Sequence, residues 1–418
     1  MTHASTLERP ATGNRPAPAP APQQPVPVIR TEAQALEVAQ AFAHSIAAGA
    51  RQRDSEHRLP WREVEQFSQS GLWGITVPKE FGGAGVSTGT LTQAVSVIAA
   101  ADGNFGHIPQ NHYYSLEVLR VGGTHAQKTF FYDRVLRGER LGNALAETGH
   151  RDFKRRTQLL REPSGWFIQG AKFYCTGAIY AHWIPTLAVA TEETGERAYL
   201  VFVPRTAPGV TITDDWDGFG QRVTGSGSVQ FEHVHVEPEW VVPFTASFER
   251  PTTIGPFAQI IHAALDAGIG HGALQATLPF VRDHARPWID SGVQSAAQDP
   301  LLLEQIGNVH VRLRAADALI ARAALSVDAA QRTPNEDSVA AASVAVAQAK
   351  ALSTSASLLA STKLFELAGT SATQAEHGLD RFWRNARTHT LHDPVRWKYH
   401  AVGNYVLNGV RPPRHGAI

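Results

Sequence analysis

Residues 165–175 read GWFIQGAKFYC, and this stretch, with the similar runs that follow it, decides the fold. Those runs are TLAVATEE, RAYLVFVP, GVTIT and GSVQFEHVHV, and Gly, Pro and charged residues separate them. Short β-rich runs divided in this way predict antiparallel strands in a small barrel or sandwich. In the last run the apolar alternation of Val229, Phe231, Val234 and Val236 is imperfect, which indicates a bulge or a bend.

Helical patterns precede this β-rich part. Thr31 can cap a helix that runs to about Ala48, and Gly49 can stop it. A second helix is predicted to start at Thr90 and to end at Gly103 and the loop after it.

A stronger helical pattern follows the β-rich part. Apolar residues recur there with a four-three spacing, which is typical of a helix in an antiparallel bundle: Leu302, Ile306, Val309, Leu313, Ala316 and Ile320. Either Thr333 or Asn335 can cap the next helix, which is Ala-rich from Ser338 to Ala368. Small side chains let two such helices approach closely.

The order helix, strand, helix predicts an α+β chain that is mainly α. Residues 1–28 are dominated by Pro and Ala, and we expect them to be a disordered leader. The predicted domains are an N-terminal helical domain at 29–140, a middle antiparallel β domain at 141–244, and a C-terminal helical bundle at 245–418.

The composition excludes several classes of function. Lys plus Arg and Asp plus Glu both number 38, so no basic excess favours nucleic-acid binding. Cys175 is the only cysteine, so neither an intrachain disulfide nor a thiolate metal cluster can form. No run reaches the roughly 20 apolar residues of a membrane span, and the first residues lack a secretory pattern. We therefore expect a cytoplasmic protein without a membrane partner.

Several strings in this order resemble the acyl-CoA dehydrogenase superfamily. They are GLWGITVPKEFGGAG at 71–85, GWFIQGAKFYCTGA at 165–178 and LDAGIGHGAL at 265–274. The resemblance covers nearly the whole chain after the leader. It implies a helical domain, a β domain and a C-terminal four-helix bundle. It also implies a homotetramer, and the small residues of the helix from Ser338 to Ala368 suit packing between subunits.

Four further strings are similar to flavin monooxygenases of the dibenzothiophene monooxygenase type and to related sulfur-acquisition oxidoreductases. They are AAADGNFGHI at 99–108, DDWDGFGQRVTGSGS at 214–228, HARPW at 284–288 and GLDRFWRNARTHTLHDPVRWK at 378–398. This resemblance implies oxygenation of a small organosulfur compound by reduced flavin and O2. FMN is the expected flavin, with FAD as the alternative.

The same resemblance implies residues that hold the flavin ring. Thr176 lies where the superfamily places a hydroxyl beside the ring, and Asn143 matches a position that lines the flavin. Trp216 and Ser226 are candidates for the wall of the same slot. Asp393, beside the histidine of LHDP, is assigned to the cofactor as well. Each residue also has a structural interpretation, as a turn, loop or packing residue.

Binding of the flavin phosphate is assigned to a second group. The turn Gly369, Thr370, Ser371 and Ala372 follows the Ala-rich helix and fits the superfamily's small-residue phosphate turn. Relatives can carry an Arg beside this Gly, where this chain has Thr370. Arg282 or Arg286 is therefore the expected charge partner, provided by a neighbouring subunit.

The histidines decide the type of reaction. Acyl-CoA dehydrogenases commonly take the substrate's α-proton with a carboxylate from the late segment, but NARTHTLHDPVRW contains no Glu and offers His392 instead. When reduced flavin adds dioxygen, a nearby donor must stabilise the adduct and protonate its leaving oxygen, and histidine can exchange that proton near pH ~6.5. We assign His392 to this oxygen and His107 to the substrate as acid or base, with Thr176 as a further catalytic residue. Asn111 and His112 are assigned to substrate binding.

Other cofactors are not expected. His389, His392 and Asp393 could contribute to a metal site, but no third strong ligand with recognised spacing is evident. Neither a G-x-G-x-x-G between strand and helix nor a P-loop is present. A separate NAD(P)H-flavin reductase must then supply the reduced flavin.

Two other functions stay open at this point. An acyl-CoA dehydrogenase with a relocated base would hold FAD and lose its flavin colour with an acyl-CoA, without dioxygen. A non-catalytic scaffold that retains the fold would hold no flavin.

Overall fold

A computed structural model of the chain describes residues 26–149, 151–152, 154–193 and 195–418. The predicted leader lies almost entirely outside the described residues. The order of elements is helical, then β, then helical, as the sequence predicts. Among the described helices, none combines the length and the apolar character that crossing a membrane requires.

Seven helices form the N-terminal part: α1 (Glu32–Ala47), α2 (Ala50–Glu56), α3 (Trp61–Ser70), α4 (Thr88–Ala101), α5 (Gly103–His107), α6 (Gln110–Gly122) and α7 (His125–Leu136). Thr31 caps α1, since its side chain accepts a hydrogen bond from the amide of Gln34. The predicted start of α4 at Thr90 is wrong, because Ser87 is the cap and accepts from the Thr90 amide. Both hydroxyl residues suit a cap, and the earlier one takes the role.

The chain after α4 also differs from the prediction, because it is helical rather than a loop. Asp102 ends α4 and caps α5 at once: its side chain accepts hydrogen bonds from the amides of Asn104 and Phe105. His107 therefore lies in the last turn of a short, fully buried helix. This position fixes its backbone more firmly than a glycine-rich loop would.

The middle part contains seven strands: β1 (Gln158–Glu162), β2 (Gly165–Lys172), β3 (Trp183–Glu192), β4 (Gly195–Pro204), β5 (Val210–Thr213), β6 (Ser228–Val236) and β7 (Val241–Pro243). They form one sheet in the order β5-β6-β2-β1-β3-β4-β7. Neighbouring strands are antiparallel, as predicted, except that β1 pairs with β3 in parallel. The apolar face of the sheet encloses a core of its own.

The predicted bulge lies in β6. Phe231 pairs with Gly170 and Val234 with Ile168, so three residue steps on β6 oppose two steps on β2. His233, inside the bulge, has a φ of 48°. The extra residue lets both Phe231 and Val234 face the buried side.

Six helices form the C-terminal part: α8 (Thr245–Phe248), α9 (Ile254–Asp283), α10 (Pro300–Arg332), α11 (Glu336–Ala368), α12 (Asp380–His389) and α13 (Arg396–Asn408). Asn335 caps α11 in a reciprocal arrangement with Ser338. The four-three stripe of α10 faces inward, where Val309, Leu313 and Ala316 are buried. Helix α9 is buried along most of its length and packs against α4, α6, α10, α11 and α12.

Candidate active site

A cavity of about 890 Å³ lies where the sheet meets α5, α6, α9, α12 and the C-terminal residues. Its volume falls within the roughly 300–1,000 Å³ that ligand pockets have. Its wall is aromatic and aliphatic on one side, with Tyr114, Leu187, Phe244 and Phe248. Imidazole, hydroxyl and amide groups line the remainder.

The cavity brings together residues that are far apart in the sequence. Eight of the predicted site residues line it: His107, Asn111, Asn143, Thr176, Trp216, Ser226, His392 and Asp393. They come from α5, α6, the segment between α7 and β1, the turn after β2, the loop between β5 and β6, and the turn after α12. One cavity thus collects residues assigned to flavin and residues assigned to substrate.

His112 is the exception among the residues assigned to substrate, because it does not line this cavity. It is fully buried, its Nδ1 accepts from the Leu141 amide at 3.0 Å, and its Nε2 donates to the Trp73 carbonyl at 2.9 Å. Both ring nitrogens are therefore occupied, so we do not retain substrate binding for His112. Burial lowers its pKa to about 3, so the ring is neutral.

The predicted phosphate residues lie away from the cavity of their own chain. Arg282 and Arg286 are exposed near the end of α9, and the turn from Gly369 to Ala372 follows α11. Both segments lie at the same end of the bundle, where the rings of Phe280 and His377 are 5.0 Å apart. Within one chain, they do not contribute to the cavity wall.

Thr176 belongs to a buried row of hydroxyl groups. Its Oγ1 lies 2.7 Å from Ser226 Oγ, which lies 2.6 Å from Thr224 Oγ1. The Trp216 indole is fixed nearby, because its Nε1 donates to the Gln221 carbonyl at 2.9 Å. Asn143 Nδ2 donates to the Tyr174 carbonyl at 3.3 Å, which sets the orientation of its amide.

The hydrogen bonds around His107 determine its tautomer. Gln221 Nε2 donates to the Gly103 carbonyl at 3.0 Å, so Gln221 Oε1 is the atom 3.1 Å from His107 Nδ1. Nδ1 must therefore carry the proton, and His107 Nε2 has a lone pair that is buried without a partner among the described residues. Burial, followed by the neighbouring His389 and His392, lowers the pKa of His107 well below its usual range. The ring is a neutral acceptor.

His392 has a different environment. Its side chain is 40% exposed, and Nδ1 lies 3.1 Å from Asp393 Oδ2. The same oxygen accepts from Gln259 Nε2 at 2.9 Å. Although burial alone would raise the pKa of Asp393, its contacts with His392, together with Lys398 and Gln259, lower it below the usual range. A carboxylate only accepts hydrogen bonds, so His392 Nδ1 is the donor in this contact.

Three further histidines, His262, His389 and His415, line the cavity, and sequence reasoning did not assign them to catalysis. His262 is on α9 and His389 is in the last turn of α12. The ring centroid of His262 lies 4.1 Å from that of His392, and the centroids of His107 and His389 are 4.9 Å apart. A signal was present: His262 and Asp266 lie four residues apart in a helix that is otherwise almost entirely apolar.

Polar atoms without partners indicate that this cavity accepts a polar ligand. Four buried atoms of its lining residues have no hydrogen-bond partner among the described residues: His107 Nε2, Gln110 Oε1, Gln259 Oε1 and Thr388 Oγ1. A buried polar atom without a partner costs roughly 1–3 kcal/mol, which a ligand with complementary groups can recover. Three of the four atoms are acceptors only.

The family models of acyl-CoA dehydrogenases match the chain in sequence order. The N-terminal domain model matches residues 30–139, the middle domain model 145–234 and the C-terminal domain model 260–397. Together these matches cover most of the chain.

Individual relatives narrow the assignment. Dibenzothiophene monooxygenase of Rhodococcus erythropolis is 35% identical over 392 residues, which span 90% of this chain and 93% of that protein. The probable FMNH2-dependent monooxygenase SfnC of Pseudomonas putida is 31% identical over 90% of this chain and 96% of its own. The crystal structure of TdsC from Paenibacillus sp. A11-2 with FMN and indole superposes with a TM-score of 0.88 and 32% identity, covering 92% of this chain and 100% of that one. The chain therefore belongs to the acyl-CoA dehydrogenase superfamily and, within it, to the flavin-dependent monooxygenases similar to dibenzothiophene monooxygenase.

Proposed function

We propose that this protein is the oxygenase of a two-component system, which uses reduced FMN and O2 to oxygenate a small organosulfur compound. A separate NAD(P)H-flavin reductase supplies the reduced FMN. FMN dependence is supported by the names of SfnC and of the FMN complex of TdsC, and an organosulfur substrate is supported by dibenzothiophene monooxygenase. FMN bound in the cavity would supply the electrons that activate dioxygen.

One observation carries this proposal: the cavity presents five imidazoles and a single carboxylate. The imidazoles belong to His107, His262, His389, His392 and His415, and the carboxylate belongs to Asp393. Imidazole nitrogens can both donate and accept protons, which oxygen chemistry requires. Acyl-CoA dehydrogenases commonly use a free carboxylate to take the α-proton of an acyl-CoA.

Asp393 is poorly suited to act as that base. Its Oδ2 is already engaged, because it contacts His392 Nδ1 and accepts a hydrogen bond from Gln259 Nε2. This arrangement favours a monooxygenase over the acyl-CoA dehydrogenase alternative.

The cavity residues fit a flavin ring. Thr176 and Ser226 offer adjacent hydroxyl groups, Asn143 has an amide of fixed orientation, and Trp216 offers an indole plane. We assign these four residues to the ring of FMN. The aromatic and aliphatic wall near Phe244 and Phe248 suits an apolar substrate beside it.

His392 and His107 are assigned opposite roles in proton transfer. His392 is the donor towards oxygen, because Asp393 orients its ring and its side chain is 40% exposed at the cavity. His107 is the acceptor, because its proton is held on Nδ1 by Gln221 and its Nε2 lone pair is unused. These roles refine the original assignment of His107 as acid or base.

The distant phosphate residues support a role for a second subunit. Arg282, Arg286 and the turn from Gly369 to Ala372 are at the surface of the bundle, remote from their own cavity. We assign them to the FMN phosphate of a neighbouring chain in a homotetramer. A basic side chain and a glycine-started turn suit a phosphate group.

The test is to supply purified protein with FMN, NADH, a flavin reductase and dibenzothiophene in air. We expect sulfur-oxygenated product in the wild type. His392→Gln should reduce product per NADH by about tenfold or more, in line with the 10²–10⁴-fold that general acid catalysis contributes. Peroxide should increase correspondingly, because oxygen activation is no longer coupled to transfer.

His44→Gln is the matched control, since His44 is an exposed histidine on α1, remote from the cavity. It should retain full product yield. Wild-type protein that yields only peroxide with dibenzothiophene and with smaller thioethers and sulfinates would contradict the proposal. So would bleaching of bound FAD by an acyl-CoA under anaerobic conditions.

A further inference from the structure

A buried chain of charged and polar groups extends from the cavity into the helical bundle. Lys350 Nζ donates to Asp266 Oδ2 at 2.6 Å, and Thr354 Oγ1 donates to the same oxygen at 2.7 Å. The other oxygen, Asp266 Oδ1, contacts His389 Nδ1, and His389 Nε2 lies 3.0 Å from His262 Nδ1. Lys350, Asp266, His262 and His389 are each at most 2% exposed.

The direction of every hydrogen bond in this chain follows from Asp266. Burial alone would raise the pKa of Asp266, but Lys350 and His389 lower it below the usual range, so it is ionised. An ionised carboxylate only accepts, so His389 must carry its proton on Nδ1 and accept at Nε2. His262 therefore carries its proton on Nδ1, and its Nε2 has a lone pair with no hydrogen-bond partner among the described residues.

We propose that His262 is a third acid–base residue of this active site, and that His389, Asp266 and Lys350 are positioning residues that fix its tautomer and stabilise the charge it takes up. This inference rests on the proposed function for its chemical purpose. His262 lines the cavity beside His107 and His392, with ring centroids 6.0 and 4.1 Å away.

Each bond that breaks in the proton transfer is matched by one that forms within this row of buried groups. An O–H bond of a cavity ligand breaks as an N–H bond forms at His262 Nε2. The Nδ1 proton of His262 then moves to His389 Nε2, which leaves His262 neutral and His389 protonated on both nitrogens. The added positive charge lies against the Asp266 carboxylate. A carboxylate that orients an imidazole and stabilises its protonated form is the arrangement of a catalytic triad.

The surroundings keep His262 ready to accept. His392 follows α12, His389 is on α12, Lys350 is on α11 and His107 is on α5, and each faces His262, while Asp266 lies on its own helix. Burial, followed by His392 and His389, lowers the pKa of His262 well below its usual range. The ring is neutral at neutral pH, so its Nε2 can accept a proton from the cavity, and the Asp266 carboxylate behind His389 can stabilise the charge that is taken up.

Neither packing nor a metal site explains this row of buried polar groups as well as an acid–base role does. A buried ion pair is often no more stabilising than apolar residues of the same volume, so packing alone gives no reason to place one at a cavity wall. Two groups of side chains have possible ligand atoms within 4.8 Å of one another, as metal ligands could: His107, His262 and His389, and His262, His392 and Asp393. In both groups two members are already engaged with each other, because His262 is hydrogen-bonded to His389 and His392 contacts Asp393.

The test measures reaction of individual histidines with diethylpyrocarbonate, which attacks only an unprotonated ring nitrogen. Modified peptides are quantified by mass spectrometry in flavin-free protein. We expect His262 and His107 to react in the wild type at rates that change less than twofold between pH 6 and 8, because both rings are neutral throughout. A His262 rate that falls several-fold towards pH 6, as for a free imidazole, would overturn the proposal without any variant.

Asp266→Asn gives the sharper result. Lys350 and Thr354 require an acceptor, so the new amide should turn its oxygen to them and its NH2 to His389. His389 must then hold its proton on Nε2, and His262 must hold its proton on Nε2. Modification of His262 should fall at least tenfold, whereas His107, whose tautomer depends on Gln221, should react as before.

Asp317→Asn is the control, because Asp317 forms a carboxylate–histidine pair with His271 outside the cavity. It should leave the reactivity of His262 unchanged. Unchanged His262 reactivity in Asp266→Asn, with circular dichroism showing a folded protein, would overturn the proposal. The proposed function is tested separately. It fails if the wild type makes no oxygenated product, whichever histidines react with diethylpyrocarbonate.

Discussion

At the scale of single residues, hydrogen-bond partners give chemically identical side chains different roles. His107 faces an amide oxygen, His392 faces a carboxylate, and His112 has both nitrogens occupied by backbone groups. Sequence reasoning could select His107 and His392 from their motifs. It could not exclude His112, because a histidine that binds two backbone groups has no pattern of its own in the sequence.

The buried state of His112 leads to a prediction about pH. Its pKa is about 3 in the folded chain, whereas an unfolded histidine has a pKa near 6.5. Below pH ~6.5 the unfolded state therefore binds a proton at this histidine, whereas the folded state does not. Stability from this group is present above pH ~6.5 and declines as the pH falls towards 3. His112→Gln keeps one acceptor and one donor but does not titrate.

Between pH 6.5 and 4.5, we expect the wild type to lose about 2 kcal/mol more unfolding free energy than His112→Gln, as 1.36 kcal/mol per pH unit implies. Urea unfolding at the two pH values measures this difference. His44→Gln should follow the wild type, because His44 is exposed. Equal losses in wild type and His112→Gln would show that the folded protein accommodates the protonated ring.

At the scale of elements, the loop between β5 and β6 is held against α12. The backbone amide of Gln221 donates to Asn385 Oδ1 at 2.7 Å, and Arg384 Nη1 donates to the Phe219 carbonyl at 3.0 Å. This loop carries Trp216 and Gln221, so its docking positions both a proposed flavin wall and the partner of His107. The contact connects the sheet to the C-terminal helices.

Gly220 makes that docking possible. A Cβ at this position would lie 2.0 Å from the Arg384 carbonyl oxygen, so a methyl group would force the loop off α12. We expect Gly220→Ala to destabilise the protein by about 1–3 kcal/mol, the usual cost of overpacking, and to weaken FMN binding. Thermal unfolding and quenching of FMN fluorescence measure the two effects.

Gly307→Ala is the matched control, because Gly307 lies within α10 and a Cβ there meets nothing within 4 Å. It should stabilise the helix by about 0.5–1 kcal/mol and leave FMN binding unchanged. If Gly220→Ala binds FMN as tightly as the wild type, the loop does not need its docked position to hold flavin.

Strong periodic patterns predicted the elements well, and weak local signals did not. The stripe on α10 and the bulge in β6 followed from the spacing of apolar residues, and both are confirmed. The segment after Gly103 was predicted as a loop, but the carboxylate of Asp102 caps a helix there. A cap depends on where a single side chain turns, which composition does not determine.

At the scale of the whole molecule, the long buried helices position the acid–base groups. Helix α9 contributes His262 and Asp266, α11 contributes Lys350, and α12 contributes His389. Sequence reasoning connected the small residues of α11 with subunit packing. In the structure many of them pack within the chain, as where the Cα of Ser357 closely approaches Gly270. Contacts between distant helices are the part of the site that one sequence cannot predict.

Exposed apolar side chains elsewhere on the bundle remain available for the proposed tetramer. Trp397, Val406 and Leu407 on α13 are 54%, 74% and 83% exposed, and Leu301 at the start of α10 is 77% exposed. Apolar surface of this kind favours an interface.

Incorporation of isotopic oxygen is the most direct measurement of whether this cavity transfers oxygen from O2. The protein, FMN, a reductase and dibenzothiophene are incubated under ¹⁸O2 in ordinary water, and the product is analysed by mass spectrometry. We predict one ¹⁸O atom for each oxygenation step, with loss of labelled product in His392→Gln. Product that carries only oxygen from water, or labelled product formed equally well without the protein, would contradict the assignment.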